Sequence, residues 1–219
     1  MVKNKKISHN EIISSYMSYV LENESSPKSV YAFAKAYNFD ESLFYSHFGS
    51  FESLEKAIFK TFFNNAMQAL ETSEEYPTFD TRNKLLSFYF TFFENLTANR
   101  SYVLIALNDN KNHLNKLKTL TELRKSFIHF INGLEIETID FKQKNITQFQ
   151  QKSIQESAWV QLLMTLQFWL NDSSISFEKT DIFIEKSINT SFDIISTTPL
   201  KSMIDFGKFL YKEKMNLNL

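Results

Sequence analysis

SVYAFAKAYNFDESLFYSHF, residues 29–48, decides the fold of this chain. Ser29 stands where a helix N-cap belongs, and the residues after it suit a short helix running to about Tyr37. Asn38 falls at the break, and Asn tolerates the left-handed backbone of a tight turn better than most residues. Asp40 is placed to cap a second short helix, with Glu41 adding negative charge at its positive end. Gly49 closes that helix, and Ser50 starts a longer one running to about Thr72. Two short helices joined by a tight turn predict a helix-turn-helix.

On the N-terminal side, Ile12, Ile13, Tyr16, Met17, Tyr19 and Val20 recur at helical spacing, and Ser25-Ser26-Pro27 interrupts them. On the C-terminal side, SEEYPTFD reads as a loop. Helices are expected at 80–98, at Arg100–Leu107 and at 111–132, with Gly133 as the stop. Residues 134–146 read as a loop, and 147–170 and 177–196 as helices with Ser176 capping the second. Pro199 opens a last helix over 200–214. The total is nine or ten helices and no strand, an all-α chain.

Bulk properties narrow the function. The chain has 219 residues, of which 43% are hydrophobic, enough to fill a real core. Three glycines and three prolines leave long stretches free of helix breakers. No run of about 18 apolar residues predicts a membrane span. The N-terminus lacks a signal-peptide pattern, and the absence of cysteine fits a cytoplasmic protein. His113 and His129 are isolated, so no metal site is expected. No catalytic constellation or cofactor motif is present, which sets enzyme as the least favoured class. Residues 1–60 carry seven basic and seven acidic side chains, without the basic excess usual in a nucleic-acid-binding segment.

The block Phe33-Ala34-Lys35-Ala36, Asn38-Phe39, Leu43-Phe44-Tyr45-Ser46-His47-Phe48 and Ser50, Glu52, Leu54 resembles TetR/AcrR-family transcriptional regulators. The resemblance covers roughly residues 8–60. It implies a three-helix DNA-binding head over 1–52 and a helical ligand-binding and dimerisation domain over 53–219. It further implies a homodimer, a palindromic operator in double-stranded DNA and release by a small apolar ligand, with no cofactor. By the same analogy Ser29, Tyr31, Glu41, Ser42, Tyr45, Ser46 and His47 lie at the DNA, and Lys3, Lys5 and Lys6 form an arm along its backbone. The chain departs from the family pattern at Asp40-Glu41, Tyr31 and Phe51, where neutral or cationic residues are usual. Glu41 can still accept a hydrogen bond from the N4 amino group of cytosine.

The aromatic run Phe88, Tyr89, Phe90, Phe92 and Phe93 spreads around a helix, so its members must face more than one surface. Phe88, Phe92, Phe93, Phe127, Trp159 and Leu163 are the candidates for an apolar ligand site. Leu166, Trp169, Ile184, Ile188, Phe192 and Ile195 are the candidates for a dimer seam. Two further readings stand beside the repressor. One is a protein of the same fold that has lost operator binding and holds a lipid, another apolar ligand or a partner. The other is a repressor with an unusual operator read through Glu41.

Overall fold

The computed structural model describes residues 7–107, 117–136 and 144–196. Nine α-helices, a short helical stretch at 117–119 and two short 3₁₀ turns account for the regular structure among these residues, and no strand occurs among them. The helices are α1 His9–Asn23, α2 Val30–Ala36, α3 Glu41–His47, α4 Phe51–Glu71, α5 Thr81–Ala98, α6 Arg100–Leu107, α7 Thr121–Gly133, α8 Lys144–Asn171 and α9 Glu178–Ser196. The expected all-α class holds. The expected helix at 200–214, part of that at 111–132 and His113 lie outside the described residues.

Several boundaries move for identifiable reasons. α1 begins at His9 because Ser8 and Glu11 form a reciprocal capping box, with Glu11 N–H on Ser8 Oγ and Ser8 N–H on the Glu11 carboxylate. Ser50 also caps α4 reciprocally, but its partner is Ser53 rather than a glutamate. Tyr76–Thr78, expected as loop, forms a 3₁₀ turn with proline in its first positions. α8 starts at Lys144, inside the stretch read as a loop. Asn38 takes the left-handed conformation, with φ of 56°. Asp40 occupies the N-cap position of α3, yet its side chain makes no capping hydrogen bond.

The chain divides into two compact units. The first comprises Met1–Glu74 and Thr91–Phe130; the second comprises Glu75–Phe90 and Ile131–Leu219. The head boundary expected after residue 52 therefore falls within the first unit.

In the first unit, Phe33 on α2 is fully buried and is the centre of an aromatic core. Its ring lies 5.2–6.3 Å from the rings of Tyr16, Tyr19, Tyr37, Phe39, Phe44 and Phe51, mostly edge to face. Phe51 shows why α4 packs with the head: it stacks on Tyr16 and meets Phe44 as well as Phe33. A polar link accompanies this packing. The Tyr16 hydroxyl donates to Glu55 on α4 at 2.5 Å and lies 3.0 Å from Ser26 Oγ. Burial, reinforced by the Glu55 charge, pushes that hydroxyl far above the usual phenol range, so it stays protonated. α6 lies against α1 and buries Tyr102 and Val103.

In the second unit, α8 and α9 pack together and bury Leu162, Leu166, Trp169, Ile184 and Ile188. The turn between them is built on Asp172. Its carboxylate accepts from the backbone and hydroxyl of Ser174 at 2.8 and 2.7 Å, and from those of Thr180 at 2.9 and 2.7 Å. Burial would raise the Asp172 carboxyl, but these four donors outweigh it and hold the group at about 2. Asp172, with Ser174 on Lys179 N–H, thus does the capping expected of Ser176. Ser176 itself has φ of 53° and Phe177 φ of 59°. Phe177, a bulky residue in a costly conformation, has its ring 6.3 Å from that of Trp169. Arg82 at the start of α5 pairs with Asp193 of α9 at 2.8 Å and lies over the Phe192 ring.

Candidate functional site

Two surfaces stand out, one on each unit. The first is the outer face of α2 and α3. Helical spacing puts Ser42, Tyr45 and Ser46 on one side of α3, while Phe44 on the other side is fully buried. Tyr45 is 54% exposed and Tyr31 62% exposed, large fractions for aromatic residues next to a filled core. Tyr45 stands edge-on to Phe44, with ring centroids 5.5 Å apart. Ser42, Ser46 and His47 are exposed and Glu41 is half-buried. Ser29 is exposed too, but its hydroxyl accepts from Ala32 N–H as the cap of α2.

The structure thus brings Tyr31, Ser42, Tyr45, Ser46 and His47 to the outside of the helix-turn-helix, leaves Glu41 half-buried and keeps Phe48 in its core. Lys3, Lys5 and Lys6 lie outside the described residues. Phe51, one of the departures from the family pattern, is explained by packing, since its ring joins the head core instead of facing outward.

The charge on this face is sparse. α3 carries no lysine or arginine. Lys56 on α4 is held by Glu52 at 2.8 Å. Sequence reasoning missed His9, whose ring lies 4.5 Å from Phe48 and 6.0 Å from His47. Burial, followed by the charge of His47, lowers the His9 pKa from its ordinary value. The clue was weak, because His9 precedes the apolar pattern of α1.

The second surface is the open side of the α8–α9 pair. Val160, Met164 and Phe168 recur every fourth residue on α8 and are 52%, 58% and 37% exposed. Ile182 and Ile194 on α9 are also exposed, and Phe168 stacks on Phe183 with centroids 4.6 Å apart. These residues line a groove of about 2320 Å³, edged by Lys179 and Lys186. Gln161 crosses between the helices to Ser187 and Ser191, at 3.3 Å each.

The residues expected at a dimer seam sit differently. Leu166, Trp169, Ile184 and Ile188 are buried within a single chain, and Phe192 is half-buried beneath Arg82. The side chain of Ile195 lies outside the description. The exposed apolar residues are their neighbours on the other side of the same helices.

The expected ligand residues are interior. Phe88, Phe92, Phe93, Phe127 and Trp159 are buried and Leu163 is half-buried. Phe90 alone of the aromatic run is exposed. None of the six lines the α8–α9 groove. Phe88, Trp159 and Leu163 belong to the second unit and the others to the first. Among the described residues, no helix is long and apolar enough to cross a membrane, and no cluster of three metal-ligating side chains occurs.

Residues 84–210 match the family model described as Tetracyclin repressor-like, C-terminal domain. No curated protein matches the chain.

Proposed function

Because the chain belongs to the tetracyclin repressor-like (TetR) family of transcriptional regulators, we propose that it is a cytoplasmic repressor that binds a palindromic operator as a homodimer and leaves it when a small apolar ligand binds. The observation that carries this reading is the exposed set Tyr31, Ser42, Tyr45, Ser46 and His47 on a helix-turn-helix whose aromatic core is otherwise closed. Exposed tyrosine and serine hydroxyls next to a short helix suit contacts with phosphate oxygens and base edges.

The exposed row Val160, Met164, Phe168 supports the dimer. A contiguous apolar surface of this size costs free energy in water until something covers it. A second copy meeting the same α8–α9 face across a two-fold axis would cover it and present two heads to two half-sites about one helical turn apart. The buried rings, Phe92 and Phe127 among them, are the candidates to reorganise around the ligand.

The test is selection from a random duplex library at low and moderate salt, followed by sequencing. Enrichment of a palindrome that weakens as salt rises supports operator binding, because phosphate contacts release counterions. A folded dimer that enriches nothing at low salt contradicts it.

The absence of lysine and arginine from α3 favours one other reading, a TetR-fold protein that holds a lipid or other apolar ligand, or a partner, without operator binding. Mass spectrometry of the purified protein under native and then denaturing conditions distinguishes this case. It predicts a co-purifying apolar molecule.

A further inference from the structure

The charge pattern of α3 limits which bases it can read. Guanine shows two acceptors in the major groove, O6 and N7, and is usually bound by arginine or lysine. α3, ESLFYSH, has neither. Glu41, when ionised, can only accept hydrogen bonds. It is half-buried in the first turn of α3 and has no ion-pair partner among the described residues. Ser46 adds a second acceptor, because its hydroxyl proton is committed to the Leu43 carbonyl at 2.7 Å and its free lone pairs point away from that bond. On α3, Ser42 and Tyr45 keep hydroxyl protons to give, as does Tyr31 on α2.

We propose that α3 reads amino groups on base edges, with the Glu41 carboxylate accepting from the N4 amino group of cytosine and Ser46 accepting at a neighbouring position. This rests on the operator-binding reading above. The chemistry also supplies discrimination. A carboxylate brought against DNA without a donor keeps its desolvation cost and is repelled by phosphates, so a wrong base is penalised rather than ignored. The expected preference for cytosine over other bases at that position is on the order of tenfold.

The test runs the random duplex selection in parallel on the wild-type protein, Glu41→Gln and Glu41→Ala, with circular dichroism melts confirming that each is folded. Wild type should enrich cytosine at one symmetric position in each half-site. Glu41→Gln should move that position to adenine, because an amide pairs with adenine N6 and N7, and should leave the other positions alone. Glu41→Ala should lose the preference there. Ser46→Ala should relax a second position.

If both Glu41 variants enrich the wild-type motif unchanged and bind every duplex more tightly, Glu41 is only a repelling charge. The inference then fails while operator binding stands. If wild type enriches no motif at low salt, both are overturned.

Discussion

The head and the α8–α9 pair solve the same packing problem with opposite residues at the surface. In the head, Phe33, Phe44 and Phe48 are enclosed, and what remains on the outside of α2 and α3 is mostly polar: the hydroxyl-bearing Tyr31, Ser42, Tyr45 and Ser46, with Lys35, Asp40 and His47. In the α8–α9 pair, Trp169, Ile184 and Ile188 are enclosed just as fully, yet Val160, Met164, Phe168 and Ile182 remain in solvent. A polar outer face on a closed core suits a polar partner bound reversibly. An apolar outer face on a closed core suits an apolar partner bound durably. The difference supports the proposal of operator recognition at the first surface and chain pairing at the second.

Opening the closed core of the head should have the largest effect. Phe33→Ala removes the ring that six other aromatics surround and should cost about 4 kcal/mol. Denaturant melts check it, and a loss under 1 kcal/mol, about the size expected at a surface site, would contradict a core centred on Phe33.

The exposed face should answer differently. Met164→Asp places a charge in the middle of the apolar row, where it meets water in a single chain but is buried in a pair. Sedimentation should show dissociation to single chains with little loss of helical signal. A dimer of unchanged affinity would place the interface elsewhere.

Asp172→Asn probes the turn that presents this face. Four donors converge on the carboxylate, and a neutral amide cannot accept from all of them, so a loss of about 2 kcal/mol is expected. The sign with pH follows from a depressed folded-state pKa. The Asp172 contribution is complete above the ordinary carboxyl value of 3.8 and is lost as pH falls through about 2. Acid melts of Asp172→Asn should lack that loss. An identical acid profile in both proteins would remove Asp172 as its source.

The smallest effect belongs to His9. Its pKa is lowered, so the fold favours neutral imidazole, and stability is full above 6.5 and declines as pH falls below it. His9→Gln should flatten that slope in thermal melts between neutral and mildly acid pH. A slope of the same steepness in the variant would assign it to another group.

The head was legible because its signals are local. Ser29, Asn38 and Ser50 act within three or four residues of themselves, and each takes the backbone role its chemistry favours. Asp40 shows the limit of that logic, since it has the position of a cap without the hydrogen bond. The turn before α9 was misread because its cap acts over eight residues, from Asp172 to Thr180, through two left-handed residues that no pattern announces. The exposed face of α8 was illegible for a different reason. α8 is apolar on several sides, so periodicity reveals that Leu162, Val160 and Met164 are all candidates for burial but not which side its own chain covers. Only the packing of α9 onto Leu166 and Trp169 separates core from free surface.

In the proposed dimer, two chains joined through the α8–α9 face place two heads on one duplex. The most direct test of this arrangement is the stoichiometry of the wild-type protein on a random duplex pool at low salt, measured by sedimentation beside Met164→Asp. Two wild-type chains per bound duplex and much weaker binding by the folded variant are expected. One chain per duplex, equal binding by the variant, or no bound duplex from a folded wild-type dimer would contradict it.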